Sequence, residues 1–252
     1  MSTVSILIPT YNRESLIRNT IQCAIDQTFR DIEIIIVDNC STDATCQVAL
    51  EMAQTDNRIR LFRNEGNVGP VLNWLACARQ ATSPYSKILF SDDLIAKDYL
   101  ELTLPHIVAN DCALVYTPAV IGSEEWAGEI AYNAFHSNTK ISTQTFIRLA
   151  MYCGDTIPVS PGAALFRTSD LLANIRTELP GITDYDFKAT GAGVDWLTYM
   201  LTALKYPYVQ YVNKPMCFFR AHGGSLTIKN ESNLVTIGQV LAKRWLGASL
   251  KM

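Results

Sequence analysis

The sequence lacks the features that mark secreted, membrane-spanning and nucleic-acid-binding proteins. No basic segment followed by an apolar stretch occurs at its N-terminus, and no run of about 18 apolar residues occurs anywhere. Its seven cysteines form no C-x-x-C pair and no zinc-finger spacing, which favours reduced thiols in a cytosolic protein. The formal net charge of −3 argues against a general nucleic-acid-binding protein, which would need a basic stripe on its surface. We therefore expect a soluble, cytoplasmic protein that does not bind nucleic acid.

A dinucleotide fingerprint and a linker are also missing. No G-x-G-x-x-G follows the first apolar run, so the sequence gives no support to a nicotinamide dinucleotide site. No repeated, low-complexity or linker-like segment divides the chain. Since 48% of the 252 residues are hydrophobic and 18% are charged, we expect a single globular domain over residues 1–252.

What is present between residue 3 and about residue 120 is an alternation of apolar runs and helical patterns. Such alternation predicts an α/β fold with a mixed, mostly parallel sheet flanked by helices. The predicted strands are 4–8, 32–37, 59–62, 88–90, 113–116, 163–166, 208–212 and 216–219. Helices are expected near residues 16–25, after the cap candidates 41–43, from residue 70 and from about residue 195. Residues 121–140 are polar and irregular, which predicts a loop.

Acidic residues accompany three of the apolar segments. Asp38 follows the second strand, Asp92 and Asp93 follow the fourth, and Asp195 opens an apolar helical pattern. Because the carboxyl ends of parallel strands meet in one crevice, we expect these carboxylates to converge there. Adjacent carboxylates repel each other unless a cation or hydrogen-bond donors compensate, so Asp92 and Asp93 favour a Mg²⁺ or Mn²⁺ site. For each acidic residue the alternative is capping of a helix N-terminus.

Two loops carry further candidates. The segment 9–13 lies between the first strand and the first helix, where backbone N–H groups and Arg13 could hold phosphate oxygens and Tyr11 could stack on a base. The alternative is an ordinary strand-to-helix turn capped by Asn12. His222 lies in a glycine-bearing loop, where it would either contact a metal or phosphate or lie at the surface without a role.

Taken together, these segments resemble the family 2 glycosyltransferases, which are inverting enzymes with a GT-A fold that use nucleotide sugars. The matching segments, in order, are VSILIPTYNR (4–13), IIIVDNCSTD (34–43), SDD (91–93), DW (195–196) and FRAHGGS (219–225). The resemblance spans roughly residues 3–227. Its first half is specific to the family, and its second half matches at scattered points.

The resemblance implies a division of roles. Asp38 would contact the base and Asp92 the ribose, while Asp93 and His222 would hold a Mn²⁺ or Mg²⁺ ion at the diphosphate. Asp195 would be the general base that deprotonates the acceptor hydroxyl, and inversion needs only that one base. The residues expected to bind the nucleotide sugar are Pro9, Thr10, Tyr11, Arg13, Asp38, Asn67, Gly69, Asn73, Ser91 and Asp92.

The same resemblance implies the substrates. Residues from 1 to about 120 would bind the nucleotide diphosphate sugar, with a UDP-sugar that carries a hexose or N-acetylhexosamine as the expected donor. Residues from about 121 to 227 would bind the acceptor hydroxyl of a glycan or lipid-linked glycan, as in bacterial surface polysaccharide synthesis. The tail from about 228 to 252 would form a helix. Its apolar stripe is short and its basic residues are few, so packing within the protein is favoured over an anionic membrane at the inner face, with a second subunit as another partner.

The sequence departs from the family pattern at two positions. Val194 stands where many members have glutamate before the base, and Phe90 stands where many have an extra acidic residue. Asp184 and Asp186 therefore remain rivals of Asp195. Two alternative functions stay open, a catalytically impaired nucleotide-sugar-binding protein and a sugar nucleotidyltransferase. The second would need a glycine-rich, basic loop after the first strand, which segment 9–13 does not provide.

Overall fold

A computed structural model describes residues 2–109, 112–158, 160–223 and 233–250. The strands are β1 (Val4–Thr10), β2 (Ile32–Asp38), β3 (Ile59–Arg63), β4 (Tyr85–Ile88), β5 (Leu94–Ile95), β6 (Cys112–Tyr116), β7 (Ala119–Glu124), β8 (Ala127–Ala131), β9 (Thr139–Ser142), β10 (Ala164–Arg167), β11 (Tyr208–Tyr211) and β12 (Cys217–Arg220). The α-helices are α1 (Ile17–Ile25), α2 (Thr45–Ala53), α3 (Pro70–Gln80), α4 (Tyr99–Val108), α5 (Thr143–Tyr152), α6 (Thr168–Asn174), α7 (Phe187–Thr190), α8 (Val194–Ala203) and α9 (Leu234–Ser249). Among these, no helix is both long and apolar enough to cross a membrane.

The main sheet has eight strands in the order β3-β2-β1-β4-β10-β6-β11-β9. β3, β2, β1 and β4 are parallel, as the alternation of strands and helices predicts. β10 is antiparallel to both of its neighbours, so the sheet is mixed. Strands from both halves of the chain share this sheet. The division into a donor-binding half, an acceptor-binding half and a C-terminal tail stays a prediction.

Apolar side chains on β1 and β2 build cores on both faces of the sheet. Leu7 and Ile35 belong to one buried cluster, whereas Ile6, Ile8 and Ile34 belong to the other. A strand covered on both faces needs a continuous apolar run rather than an alternating one. Burying each such side chain stabilises the fold by roughly 1.5–3 kcal/mol. The same run therefore fixes the strand and places its polar last residue at the rim.

The prediction of an irregular loop over residues 121–140 is wrong. This region contributes β7 and β8, which pair antiparallel in a second sheet of order β5-β12-β7-β8, and also the start of β9. Gly122 and Gly128 make the pairing possible, because a Cβ on either would lie about 2 Å from a carbonyl oxygen of the facing strand. β8 is an exposed edge strand, and its five residues AGEIA include alanine, glycine and glutamate, which are depleted in strands.

Several predicted boundaries also move. The fourth strand ends at Ile88 rather than at Phe90, and Asp92 and Asp93 lead into β5 rather than capping a helix. α2 begins after Ala44, so the cap expected at residues 41–43 is wrong, although Asp43 still accepts a hydrogen bond from the N–H of Thr45 at 3.0 Å. α3 begins at its proline as predicted.

The C-terminal helix packs against the body of the protein. α9 contacts α7 and α8, and its residues Gly238, Ala242 and Leu246 are buried. This agrees with the packing interpretation of the tail. Ile237 and Val240 stay exposed on its outer face, and contact of that face with a membrane or a second subunit stays a prediction.

Candidate functional site

The carboxyl ends of three parallel strands lie side by side. Thr10 of β1 is level with Asp38 of β2, which is level with Arg63 of β3. Thr10 is buried, and its hydroxyl has no hydrogen-bond partner among the described residues. A buried hydroxyl without a partner costs free energy, so this rim holds a donor suited to a polar ligand.

Asp38 is fully buried at this rim. Its carboxylate accepts hydrogen bonds from the N–H of Ser41, at 3.1 and 3.3 Å, and lies 3.3 Å from the Nε of Arg63. It therefore shapes the turn after β2 rather than capping α2, which begins four residues beyond Ser41. Arg63 is about half exposed and lies beside Asp38 at the same edge. Sequence reasoning missed Arg63, although its place directly after an apolar run is the signal that identified Asp38.

The predicted donor-binding residues Asn67, Gly69 and Asn73 lie in an amide network. Asn67 accepts hydrogen bonds from the side chain of Asn39 and from the N–H of Gly69, both at 2.9 Å. Asn64 donates to Asn39 and to Asn73 at 3.0 Å.

The buried end of this network holds the strand ends together. The amide of Asn73 lies 3.2 Å from the carbonyl oxygen of Val37 and 3.4 Å from that of Thr10. Its polar atoms therefore bridge β1 and β2 beneath the rim. Direct contact of Asn67, Gly69 and Asn73 with a donor stays a prediction.

Asp92 is the centre of a charged cluster. Its Oδ2 atom lies 3.2 Å from the Nε of Arg13 and 2.9 Å from the Nε2 of His222. The guanidinium of Arg220 donates to the backbone carbonyl of Asp92 at 3.2 Å. The structure thus brings together Arg13, Asp92 and His222, which lie far apart in sequence. Of the closing segment 219–225, Gly224 and Ser225 lie outside the described residues.

Asp93 is buried directly beside this cluster. Burial raises its pKa well above the ordinary range, the neighbouring charge of Asp92 raises it further, and the N–H of Arg220, 3.0 Å from Oδ1, offsets part of the effect. Below it, Lys87 is fully buried and its ammonium contacts the carbonyl of Gly162. A divalent cation would compensate these adjacent carboxylates.

The side chains near Asp93 suit a metal site with few protein ligands. In the ranges that the structure describes, no three histidine, cysteine or acidic side chains converge as a complete metal cluster. Asp92 nevertheless lies beside Asp93 in the chain and contacts the imidazole of His222 at 2.9 Å, so carboxylate oxygens and a ring nitrogen lie in the same region. Mg²⁺ and Mn²⁺ commonly take one or two carboxylates and complete their coordination with substrate phosphates and water. The residues present therefore fit a cation that is shared with a diphosphate.

The loop after β1 is built around Asn12. This residue has a positive φ of 50°, its N–H donates to Ser41 at 2.9 Å, and its side-chain oxygen accepts from the N–H of Thr42 at 2.9 Å. It therefore ties two loops together and does not cap α1, which begins at Ile17. Tyr11 is 38% exposed and available to a ligand, whereas Pro9 and Ser91 are buried at the rim.

Asp195 lies in the first turn of α8, whose N-cap is Gly193. Its Oδ1 atom accepts hydrogen bonds from the N–H of Gly193 at 2.9 Å and of Trp196 at 2.7 Å, so the capping alternative is realised in part. Burial raises its pKa to about 7, and the two N–H groups offset only part of that increase. A carboxyl that titrates near neutral pH is suited to proton transfer.

The turn before Asp195 packs against α3. Gly191 has a positive φ of 74°, and a Cβ there would lie 2.5 Å from the ring of Trp74. The Trp74 ring in turn lies 5.4 Å, between centroids, from that of Phe90, which precedes the acidic pair. Of the rival acids, Asp184 is exposed and Asp186 caps α7 by accepting from the N–H of Lys188 at 2.9 Å.

Arg220 and Lys87 are further charged residues of the site that sequence reasoning did not assign. Arg220 contacts Asp92 and Asp93 through its side chain and backbone, and it also pairs with Glu125 at 2.8 Å. Its position two residues before His222, a predicted metal ligand, was a usable signal. Lys87 carried no such signal, because a lysine inside an apolar run also fits a strand that exposes one face.

The profile described as glycosyl transferase family 2 matches residues 5–172, two thirds of the chain. The chain belongs to this family.

Individual relatives match over shorter stretches. TuaG of Bacillus subtilis, provisionally named a teichuronic acid biosynthesis glycosyltransferase, is 34% identical over 45% of this chain and 45% of its own length. The GalNAc(5)-diNAcBac-PP-undecaprenol β-1,3-glucosyltransferase of Campylobacter jejuni is 29% identical over 63% of this chain and 52% of its own length. The chain thus spans about half the length of these curated relatives.

Solved structures confirm the fold. The crystal structure of residues 1–349 of Staphylococcus aureus TarS in complex with UDP-GlcNAc superposes with a TM-score of 0.72 at 19% identity, covering 98% of this chain and 71% of that chain. At this identity the likeness concerns the fold alone. It confirms the predicted α/β architecture of GT-A type, in which a mixed, mostly parallel sheet is flanked by helices.

Proposed function

We propose that the protein is an inverting, metal-dependent glycosyltransferase. It transfers a hexose or N-acetylhexosamine from a nucleotide diphosphate sugar, a UDP-sugar first of all, to the hydroxyl of a glycan or lipid-linked glycan. The observation that carries the proposal is that Asp38 lies at the carboxyl edge of the sheet, while Asp92, next to the buried Asp93, contacts His222. Family membership supports the reaction class, and the relatives named above support a role in bacterial surface polysaccharide synthesis.

The nucleotide would lie across the ends of β1, β2 and β4. Asp38 and Arg63 would meet the base, since both lie at the end of neighbouring strands. Asp92 would accept hydrogen bonds from the ribose, in exchange for part of its present contact with Arg13 and His222. Arg13 would then be released toward the phosphates. An arginine suits that position because its planar guanidinium binds phosphate oxygens in pairs.

Asp93 and His222 would hold Mn²⁺ or Mg²⁺. When bound, such a cation acts as a Lewis acid that stabilises charge on the departing diphosphate. The elevated pKa of Asp93 supports this assignment, because a buried carboxylate beside a second one is stabilised by a cation. The N–H of Arg220 orients one Asp93 oxygen at 3.0 Å.

Asp195 would accept the proton of the acceptor hydroxyl as the hydroxyl oxygen attacks the anomeric carbon. The proposal is supported by its pKa of about 7, which leaves a large fraction of the carboxyl ionised at neutral pH while keeping it basic enough to accept a proton. The two N–H groups on Oδ1 orient the carboxyl group. Inversion at the anomeric carbon requires only this base.

Incubation with UDP-GlcNAc and Mn²⁺, followed by measurement of released UDP, distinguishes the enzyme from a binding protein. UDP-GlcNAc is a reasonable first probe because it is bound in the TarS structure named above. We expect slow metal-dependent release in the absence of acceptor and faster release when lipid-linked glycans are added. Binding of UDP-GlcNAc without release under either condition would favour the impaired binding protein. The predicted localisation is cytoplasmic, at the inner face of the membrane, where lipid-linked acceptors lie.

A further inference from the structure

The turn that carries Asp195 is held between two parts of the molecule. On one side Gly191 lies against the ring of Trp74, as described above. On the other side Gly193, with a φ of 85°, lies against α9: a Cβ on Gly193 would be 2.5 Å from the carbonyl oxygen of Gly238. Both glycines therefore allow a close approach that no other residue permits, and both adopt a backbone conformation that L side chains rarely adopt.

Gly238 completes the contact from the side of α9. A Cβ on Gly238 would lie 2.4 Å from the hydroxyl oxygen of Tyr185 and 2.6 Å from the carbonyl oxygen of Ala192. Glycine within a helix costs up to about 1 kcal/mol relative to alanine. In α9, Gly238 has this cost in helix stability at the turn where the helix contacts Ala192 and Gly193.

A chain of hydrogen bonds links the same two elements. The N–H of Ala192 donates to the hydroxyl of Thr190 at 3.2 Å, and the hydroxyls of Thr190 and Tyr185 lie 2.9 Å apart. Tyr185 donates to the carbonyl of Leu234 in the first turn of α9 at 2.8 Å. With Tyr185 donating to Leu234, Thr190 donates to Tyr185 and accepts from Ala192, so each hydroxyl proton has one acceptor.

We propose that α9 is a positioning element for the base: its contact through Gly238 and Tyr185 fixes the turn 190–195 and thereby the place of the Asp195 carboxylate. This inference rests on the proposed function, since it assigns α9 to the half of the site that receives the acceptor. The backbone N–H of Gly193, which binds Asp195 Oδ1, belongs to the residue that α9 contacts. A displacement of α9 therefore reaches the carboxylate through a single residue.

The Gly238→Ala variant tests the proposal, with Gly247→Ala as its matched control on the same helix. At Gly247 an added Cβ meets only the terminal methyl of Met151, at 3.8 Å, which is ordinary contact. Both variants gain helix propensity, so only the contact with the turn differs. For UDP release from UDP-GlcNAc with Mn²⁺, we expect Gly238→Ala to lower kcat on the order of 10- to 100-fold with donor KM unchanged. Gly247→Ala should stay within about twofold of the wild type. Equal kcat values for the two variants would overturn the proposal.

Amide hydrogen exchange gives a readout that does not depend on activity. Faster exchange at residues 193–196 is expected in Gly238→Ala and not in Gly247→Ala. If Gly238→Ala does not fold, Tyr185→Phe replaces it, because it removes the bond to Leu234 without adding volume, and the same increase in exchange is expected. Unchanged exchange in the folded variant would overturn the proposal. Absent turnover in the wild type, together with the expected exchange, would overturn the proposed function and leave the structural coupling standing.

Discussion

Replacement of Asp195 by asparagine separates the stability of the protein from its activity. Asparagine has nearly the same shape, and its side-chain oxygen can still accept the N–H groups of Gly193 and Trp196. It has no charge to bury. We therefore expect Asp195→Asn to lose turnover while the free energy of unfolding increases.

The size of the increase follows from the pKa of the aspartate. A change from the ordinary value of 3.8 to about 7 corresponds to about 4 kcal/mol of penalty on the charged form, at 1.36 kcal/mol per pKa unit. Because the side chain of Asp195 is only partly buried, solvent screens part of this penalty, and about 2 kcal/mol is the better expectation.

The sign of the pH dependence is fixed by the direction of the shift. The folded state favours the neutral carboxyl, so the wild type loses stability as the pH increases from about 4 to about 7. The advantage of Asp195→Asn should be nearly absent at pH 4 and reach about 2 kcal/mol at pH 8. In the wild type, turnover should fall as the pH decreases below about 7, because the base becomes protonated.

Urea unfolding at pH 4 and pH 8, together with UDP release from UDP-GlcNAc, measures both effects. Asp184→Asn is the matched control, since this carboxylate is exposed and is one of the two rival bases. It should leave both the free energy of unfolding and the turnover close to wild type. A variant Asp195→Asn with near-normal turnover would refute the base assignment, and one with no extra stability at pH 8 would refute the burial argument.

Two further predictions concern the framework of the site. Glu33→Gln should lower the free energy of unfolding at pH 7 by about 1.5–3 kcal/mol in urea melts, because Glu33 binds Arg60 and Thr82 as an anion. Burial alone would raise the pKa of Glu33, but hydrogen bonds from Ser5, Thr82 and Arg60 outweigh it and lower the pKa to about 2. The difference in the free energy of unfolding between the wild type and Glu33→Gln should therefore narrow as the pH falls below about 4.5. A difference that stays constant with pH would contradict this. Asn73→Ala should cost about 1–3 kcal/mol, because it removes the buried amide that donates to the carbonyl oxygens of Val37 and Thr10. Asn67→Ala at the exposed end of the network should cost less, and equal losses would contradict this order.

Much of the fold could be predicted from short-range patterns. The continuous apolar runs of β1 and β2 identify strands covered on both faces, and the proline that opens α3 marks its first residue. β7 and β8 could not be recognised in this way. They form an exposed two-stranded edge whose pairing depends on close backbone contact at Gly122 and Gly128, and that contact leaves no periodic pattern in the sequence.

The candidate site was predictable to the extent that it follows strand ends. Asp38, Asp92 and Asp93 were found in this way, and Arg63 could have been. The hydrogen bond between Asp92 and His222 joins residues 130 positions apart, so no local pattern in the sequence predicts it. The assignments of Asn67, Gly69 and Asn73 came from resemblance, and their part in an amide network became visible only when the loops were placed together.

Binding of UDP-GlcNAc in the presence and absence of Mn²⁺ tests the proposed donor site most directly. By isothermal titration calorimetry, the wild type should bind the donor at least about tenfold more tightly with Mn²⁺ than without it, and Asp93→Ala should lose this difference. Asp98→Ala removes a partly exposed carboxylate of the same stretch of chain, which pairs with Lys214, and should keep this difference. If Asp93→Ala bound UDP-GlcNAc with the metal dependence of the wild type, Asp93 would not be the residue that joins cation and donor, and the proposed site would be wrong.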